Sequence, residues 1–111
     1  MATFSAKRKA PKHVDPLVLN GVRYEVALDI RELGYNGHGG VIAACDKMTG
    51  RQLWHVQVYR TEYNPSFERD VQEAYITEIV AIEDGKALLV NNERQRRFRL
   101  DLTDRSVKML D

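Results

Sequence analysis

The sequence of 111 residues contains one cysteine, three prolines and no long hydrophobic run. A single cysteine excludes an intrachain disulfide, and Cys45 stands in an apolar stretch that predicts a buried thiol. No apolar stretch approaches the roughly 18 residues of a membrane-spanning helix, and residues 1–9 lack the apolar core of a secretory signal. These absences favour a cytoplasmic protein that does not enter a membrane, and the length favours one domain.

The net charge is also small, at +1, but the charged residues are unevenly distributed along the chain. Residues 1–12 carry four basic side chains and no acid, which leaves 13 of the 17 basic residues against all 16 acidic ones in the rest of the chain. The four basic residues are Lys7, Arg8, Lys9 and Lys12. We interpret residues 1–16 as a flexible basic arm and residues 17–111 as a single β domain. Such an arm either binds an anionic partner or is simply solvated.

Alternating apolar and polar residues dominate the rest of the chain. Apolar side chains at every second position of residues 22–30 are typical of a strand with one buried face. These residues are Val22, Tyr24, Val26, Leu28 and Ile30. Similar patterns predict seven strands, at residues 22–31, 41–46, 52–60, 75–83, 86–91, 97–102 and 106–110.

The pattern predicts an all-β fold, a single small antiparallel domain of about seven strands. Propeller-blade-like sheets, a sandwich and a half-open barrel all fit it, with at most one short helical turn. Residues 75–83 are apolar on both faces, which predicts a central strand, and Asp84-Gly85 predicts the hairpin that follows. Residues 61–74 fit a helical turn and a structured loop equally. Such a domain leaves strand edges that must be charged, covered or paired with another chain.

The stretch from Ala44 to Trp54 carries the strongest local signals. Asp46 can accept hydrogen bonds from the backbone ahead of it, and Gly50 can adopt the positive φ that closes a turn. The strand that follows places Trp54 and Val58 on one face, which predicts a core position for the tryptophan.

The two halves of the chain resemble each other weakly. Ala44-Cys45-Asp46 and Arg99-Leu100-Asp101 each precede a turn that contains threonine and then a final strand. One propeller blade needs about 40 residues and a closed propeller typically at least about four blades. The chain therefore holds at most two blade-like units and part of a third, and it cannot close a propeller alone.

The fixed positions of the stretch resemble the A-x-D-x-x-T-G-x-x-x-W pattern of repeats in propellers of the pyrroloquinoline-quinone-dependent dehydrogenase type. The residues that carry the resemblance are Ala44, Asp46, Thr49, Gly50 and Trp54. In that family the tryptophan packs between neighbouring blades and the Thr-Gly turn joins two strands of one blade. The resemblance therefore implies structural roles for these residues. It implies no cofactor here, because the cofactor ligands of those enzymes lie outside the motif.

The downstream layout is similar to that of an uncharacterised group of short bacterial proteins. In that group a Trp strand is followed by Asn-Pro, Asp-Val-Gln, an Asp-Gly hairpin and a closing strand that ends in Leu-Asp-Leu. The matching residues are Asn64-Pro65, Asp70-Val71-Gln72, Asp84-Gly85 and Leu100-Asp101-Leu102. This resemblance covers most of residues 20–110 and implies no activity.

Few residues offer catalytic or metal-binding chemistry. The three histidines, His13, His38 and His55, lack the close spacing of many zinc sites. The glycine-rich loop around His38 lacks the spacing of a phosphate-binding loop. His38 with Asp29 or Asp46 is the remaining acid–base alternative, as in a small hydrolase. We expect no metal, no cofactor and no catalytic residue.

The densest charge cluster comprises Arg94, Arg96, Arg97 and Arg99. Arg97 and Arg99 are expected on the solvent face of a strand, opposite Phe98. Arginine suits bidentate contacts with phosphate or carboxylate, so the cluster and the arm could contact an anion or a single-stranded nucleic acid. Acidic residues on neighbouring strands could instead neutralise the cluster.

Taken together, these patterns favour a non-enzymatic β domain that binds another protein or a second copy of itself. The alternative is binding of an anion or a nucleic acid through the basic arm and the arginine cluster. The two hypotheses differ in salt dependence, because phosphate contacts weaken steeply as salt rises.

Overall fold

The computed structural model describes residues 14–28, 30–35, 39–60 and 74–110. These residues form eight strands and one short 3-10 turn, Glu83–Gly85. The strands are β1 Leu17–Leu19, β2 Val22–Val26, β3 Gly40–Asp46, β4 Gln52–Tyr59, β5 Ile76–Ile82, β6 Ala87–Asn92, β7 Arg97–Asp101 and β8 Val107–Leu110. The prediction of an all-β fold is confirmed, and the Asp84-Gly85 hairpin joins β5 to β6 as expected.

The strands form two antiparallel sheets of four, each with its strands in chain order. Sheet 1 contains β1 to β4, and sheet 2 contains β5 to β8. Each sheet is a meander, because every ladder joins strands that are neighbours in the sequence. The chain passes from one sheet to the other between β4 and β5.

The two sheets pack face to face around one hydrophobic core. Both sheets contribute to the set of buried residues, which comprises Tyr24, Ile42, Ala44, Val58, Ile76, Ile79, Leu88, Val90, Phe98 and Leu100. The rings of Tyr59 and Phe98 stack across the interface with centroids 5.0 Å apart. Gly40 lies against this stack, since a Cβ added there would come within 2.5 Å of the Tyr59 ring.

The hairpin between β1 and β2 is the first difference from the sequence prediction, which places no strand before residue 22. Asn20 and Gly21 form its two-residue turn, with φ of 52° and 78°. Positive φ at both positions is the geometry of a type I′ turn, and Asn-Gly is the dipeptide that favours it. The turn therefore carries a local signal, whereas β1 has three residues and is too short for an alternating pattern.

The prediction of one strand over residues 22–31 is wrong beyond Val26. Leu28 is 94% exposed, and Ile30 is buried although it lies in a turn. The Ile30 carbonyl accepts hydrogen bonds from the backbone N–H groups of Leu33 and Tyr35. An alternating pattern does not separate a buried turn residue from a strand residue, because both positions require an apolar side chain.

The prediction that residues 75–83 form a central strand is also wrong, because β5 is an edge strand of sheet 2 among the residues that the structure describes. Ile76 and Ile79 face the core, whereas Val80 is 36% exposed. The fully buried positions of sheet 2 lie in its inner strands β6 and β7, at Leu88 and Leu100 among others. An edge strand with an apolar side chain on its outer face has the same sequence pattern as a central strand that is covered on both faces.

Two interpretations fall mostly on residues outside the described part of the chain. Of the arm at residues 1–16, the structure describes Val14, Asp15 and Pro16, and Val14 packs against the core. Of the open stretch at residues 61–74, it describes Ala74, whose carbonyl accepts a hydrogen bond from the Tyr59 hydroxyl.

The two sheets contact each other through opposite faces. Their registers are equivalent, since Val22 pairs with Asp46 in sheet 1 as Ala87 pairs with Asp101 in sheet 2. The equivalent rows of cross-strand neighbours are Leu17, Tyr24, Ala44 and Trp54 in sheet 1, and Val80, Leu89, Arg99 and Lys108 in sheet 2. The first row packs into the core, and the second lies on the outer face. The faces of the two sheets that meet are therefore not equivalent.

Candidate interaction site

Asp46 organises the turn between β3 and β4. Its Oδ1 accepts hydrogen bonds from the backbone N–H groups of Met48 at 2.8 Å and Thr49 at 3.1 Å. The Thr49 Oγ1 accepts another from the Arg51 N–H at 3.1 Å, and Gly50 has a φ of 76°. Side-chain oxygens thus satisfy backbone donors in a turn, where the ladder supplies no carbonyl for them.

The same turn recurs in sheet 2 around Asp101. Its Oδ1 accepts hydrogen bonds from the N–H groups of Thr103 at 2.8 Å and Asp104 at 3.2 Å, and the Asp104 Oδ1 accepts one from Ser106 at 2.8 Å. The Asp101 N–H closes its turn by donating to the Ser106 carbonyl at 2.9 Å, and the Asp46 N–H donates to the Arg51 carbonyl at 2.8 Å. The predicted similarity of the two halves is therefore confirmed at the level of single hydrogen bonds.

Trp54 lies at the junction of the two sheets and is half-buried. Its ring centroid is 5.9 Å from that of Tyr24 in its own sheet and 4.9 Å from the guanidinium carbon of Arg105. Arg105 belongs to the turn organised by Asp101, so the tryptophan of one sheet contacts the turn of the other. Its ladder partner Ala44 is fully buried beneath it.

Arg105 occupies the position in the second turn that Gly50 occupies in the first. Both residues have a positive φ, 63° for Arg105 and 76° for Gly50. A left-handed backbone costs an ordinary residue roughly 1–2 kcal/mol, and a guanidinium over an aromatic ring returns about 0.5–1 kcal/mol at an exposed site. The contact with Trp54 therefore offsets part of the strain at Arg105.

Arg99 is held by two carboxylates. Its Nε and Nη2 donate to the two carboxylate oxygens of Glu83, both at 2.7 Å, and its Nη1 donates to Asp101 Oδ2 at 3.3 Å. The hydrogen bond from Arg99 lowers the pKa of Glu83. The backbone N–H groups of Thr103 and Asp104, and then Arg99, lower the pKa of Asp101. The guanidinium that the sequence places in a cluster of like charges thus has partners of opposite sign.

The other arginines of the cluster surround the turn between β6 and β7. The Asn92 Oδ1 accepts hydrogen bonds from the backbone N–H groups of Arg94 at 3.0 Å and Arg96 at 3.1 Å, and the Arg96 side chain contacts Met109 Sδ at 3.7 Å. Arg97 is exposed at the start of β7. The basic residues of the arm lie outside the described part of the chain, namely Lys7, Arg8, Lys9 and Lys12.

The residues with nucleophilic or acid–base chemistry do not converge where the structure describes them. Cys45 is buried in β3. The Tyr35 hydroxyl and His55 Nδ1 share a hydrogen bond of 2.7 Å, and burial raises the pKa of Tyr35. His38 and Asp29 lie outside the described residues. Within residues 14–28, 30–35, 39–60 and 74–110, no three His, Cys, Asp or Glu side chains form a group that could hold a metal ion.

Strands β4 and β5 are the long edges of the two sheets. No strand among the described residues pairs with the outer edge of either one. The eight residues of β4 include no Lys, Arg, Asp or Glu, and the seven residues of β5 include one such charged residue, Glu78. Sheet edges are normally protected by charge, proline, bulges or short length. The register of β4 shifts twice, whereas β5 is regular from Glu78 to Ile82, so β5 is the less protected edge.

The backbone groups of Ile79 and Ala81 point away from sheet 2. In an antiparallel ladder, consecutive residues direct their N–H and C=O groups alternately to the two neighbours. The Asn92 N–H donates to the Arg96 carbonyl, which lies on the β7 side of β6. Leu89 lies three positions before Asn92, so its N–H and C=O groups face the opposite side, toward β5. Leu89 pairs with Val80. The residues on either side of Val80 therefore present two N–H donors and two C=O acceptors to the outside.

Sequence reasoning identified the Asp46 turn and Trp54, and it gave neutralisation of the arginine cluster by acidic neighbours as one of two alternatives. It missed the edge position of β5 among the described strands and the contact of Arg105 with Trp54. Neither of these two features has a local pattern, because each depends on which strands become neighbours. Comparison with protein-family models, curated proteins and solved structures found no match to this chain. The helical residues that the structure describes include no span with the length and hydrophobicity to traverse a bilayer.

Proposed function

We propose that this chain is a non-enzymatic interaction domain, which binds another protein or a second copy of itself by strand addition at an open sheet edge. The observation that carries the proposal is the regular edge strand β5, with the outward backbone groups of Ile79 and Ala81. In strand addition, main-chain hydrogen bonds supply affinity and the alternate side chains supply selectivity.

The Trp54 motif supports the same proposal. Its side chains build a turn and the contact between the two sheets. The turn residues Asp46, Thr49 and Gly50 use their hydrogen bonds and backbone freedom within the turn itself. The motif therefore acts as a scaffold in this proposal, and the sheet edge is the binding element.

Binding of an anion or a nucleic acid through the arm and the arginine cluster stays a prediction. Arg99 contributes less to it than the sequence implies, because its guanidinium already holds Glu83 and Asp101. A phosphate would have to displace both carboxylates, and that of Asp101 is also held by the backbone N–H groups of Thr103 and Asp104.

The proposal is tested by blocking the β5 edge without disturbing the sheet. Ala81→Pro removes a donor that points outward, so the ladder to β6 keeps its hydrogen bonds. Wild-type protein, Ala81→Pro and the matched control Ala81→Ser are compared as baits in the native lysate, with captured polypeptides identified by mass spectrometry. We expect Ala81→Ser to retain the captured set and Ala81→Pro to lose it.

The β4 edge needs its own control, because the backbone groups of His55 also point outward while its side chain holds Tyr35. His55→Pro is therefore compared with His55→Ala, which loses the side chain but keeps the N–H. If Ala81→Pro and His55→Pro both retain every polypeptide that the wild type captures, strand addition is wrong. Circular dichroism of each variant shows whether the β fold is intact.

A further inference from the structure

We propose that β5 pairs with β5 of a second copy of this chain, antiparallel and in register, with Val80 on the two-fold axis. This inference rests on the proposed function, because it specifies which partner strand binds the β5 edge. The product is a dimer in which the two copies of sheet 2 form one continuous sheet of eight strands.

Backbone geometry selects the register. With Val80 opposite its own copy, Ile79 lies opposite Ala81 of the second copy, and the outward groups of both residues are paired. A register centred on Ala81 would pair Ile79 with Glu83, which has a φ of 54° and lies outside the strand. A register centred on Ile79 would pair Ala81 with Thr77, where the ladder is irregular. The register centred on Val80 is the one that uses regular strand residues throughout.

Side-chain chemistry agrees with this register. Val80 is 36% exposed on the outer face of sheet 2, next to Leu89 in the cross-strand row. Directly opposed residues at a position without mutual hydrogen bonds have their Cα atoms about 4.5 Å apart. The two Val80 side chains would therefore touch, and Leu89, Val80 and their copies would form one apolar stripe across the dimer.

The charges of β5 also permit self-pairing. In this register Glu78 lies opposite Ile82 of the second copy and not opposite its own copy. The two Glu78 residues are then four strand positions apart, or about 13 Å, so like charges do not meet. Self-pairing of β4 is less favourable, since its register shifts twice and Arg51 and Arg60 flank its two ends.

The first experiment measures mass by sedimentation equilibrium of the full chain over a range of concentrations. We expect a monomer–dimer equilibrium for the wild type. Val80→Lys places two ammonium groups opposite each other at the axis and should give a monomer throughout the range. Leu53→Lys is the matched control, because it adds the same charge at an exposed apolar residue, 48% exposed, on the edge strand β4. It should leave the equilibrium unchanged.

The second experiment tests the register by disulfide formation and does not depend on the lysine variant folding. The native thiol is removed by Cys45→Ala, and Val80→Cys is oxidised under mild conditions. In the proposed register the Cα atoms of position 80 in the two copies are separated by a distance within the roughly 4.4–6.8 Å that a disulfide spans, so a covalent dimer should form. Glu78→Cys in the same background should form no covalent dimer, because its two copies are too far apart in the paired strands.

Each outcome decides the inference. A monomeric wild type at all concentrations overturns it, as does a dimer that survives Val80→Lys or one that Glu78→Cys links as readily as Val80→Cys. None of these results contradicts the proposed function if Ala81→Pro still abolishes capture of a different protein. If Ala81→Pro and His55→Pro retain the wild-type captured set and the wild type is monomeric, both proposals are wrong.

Discussion

The Arg99 guanidinium and the Glu83 carboxylate form a two-bond ion pair, with both N···O distances at 2.7 Å. The pair joins strand β7 to the turn between β5 and β6. That turn contains three successive residues with positive φ, namely Glu83 at 54°, Asp84 at 56° and Gly85 at 83°. Asp84 and Gly85 are residue types that tolerate this conformation, whereas Glu83 is not. The ion pair therefore contacts the one residue of the turn whose backbone conformation is locally unfavourable.

Acid should weaken the fold through this ion pair. The folded-state pKa of Glu83 lies below its usual 4.5, and that of Asp101 lies below its usual 3.8. A lowered folded pKa means that the stabilisation is present above the unfolded pKa and is lost as the pH falls through that value to the folded one. Melting temperature should therefore fall below about pH 4.5, and Glu83→Gln should flatten this fall. Glu32→Gln, which makes the same charge change in a different turn, should keep the wild-type profile.

Backbone strain at Arg105 should be measurable. Arg105→Ala loses the contact with Trp54 and keeps the left-handed conformation, whereas Arg105→Gly loses the contact and relieves the strain. We expect Arg105→Gly to be more stable than Arg105→Ala by about 1 kcal/mol in urea unfolding. Equal stabilities of the two variants would show that the backbone at this position is not strained.

Trp54 should contribute to stability as a half-buried residue. Trp54→Ala should cost about 2–3 kcal/mol, less than the roughly 3–5 kcal/mol of a fully buried aromatic side chain. Because it is the single tryptophan, its emission reports this site directly and should be moderately blue-shifted and partly quenched by iodide. Trp54→Phe, which keeps an aromatic ring against Tyr24, should cost less than the alanine variant. Fully exposed emission would contradict the packing at the sheet junction.

Gly40 should not tolerate a side chain. A Cβ at this position would lie 2.5 Å from the Tyr59 ring and 2.9 Å from Ile76 Cδ1. Gly40→Ala must therefore displace the ring that stacks on Phe98, and we expect a loss of about 1–3 kcal/mol from overpacking. Gly34→Ala is the comparison, because Gly34 has open space around it and a φ of +97°. A side chain there strains the backbone but displaces no neighbouring ring. If the alanine at position 40 changes neither the melting temperature nor the Tyr59 ring resonances, the close approach is wrong.

Local chemistry predicts the turns of this protein well. Asp46, Thr49 and Gly50 act within a few residues of one another, so their roles follow from the sequence alone. Ile30 shows the limit of that reasoning, because its apolar side chain indicates burial but not whether a strand or a turn carries it into the core. The edge position of β5 and the ion pair of Arg99 with Glu83 depend on strand order, which a single sequence with two similar halves does not determine.

The outward row of sheet 2 has a consequence for what can pack on that face. Arg99 and Lys108 stand where the equivalent row of sheet 1 has Ala44 and Trp54, the residues on which sheet 2 itself is seated. A third sheet stacked in the same way would have to desolvate two cations, and one of them would have to leave its carboxylates. The outer face of sheet 2 is therefore better suited to contact with water than to packing against another sheet.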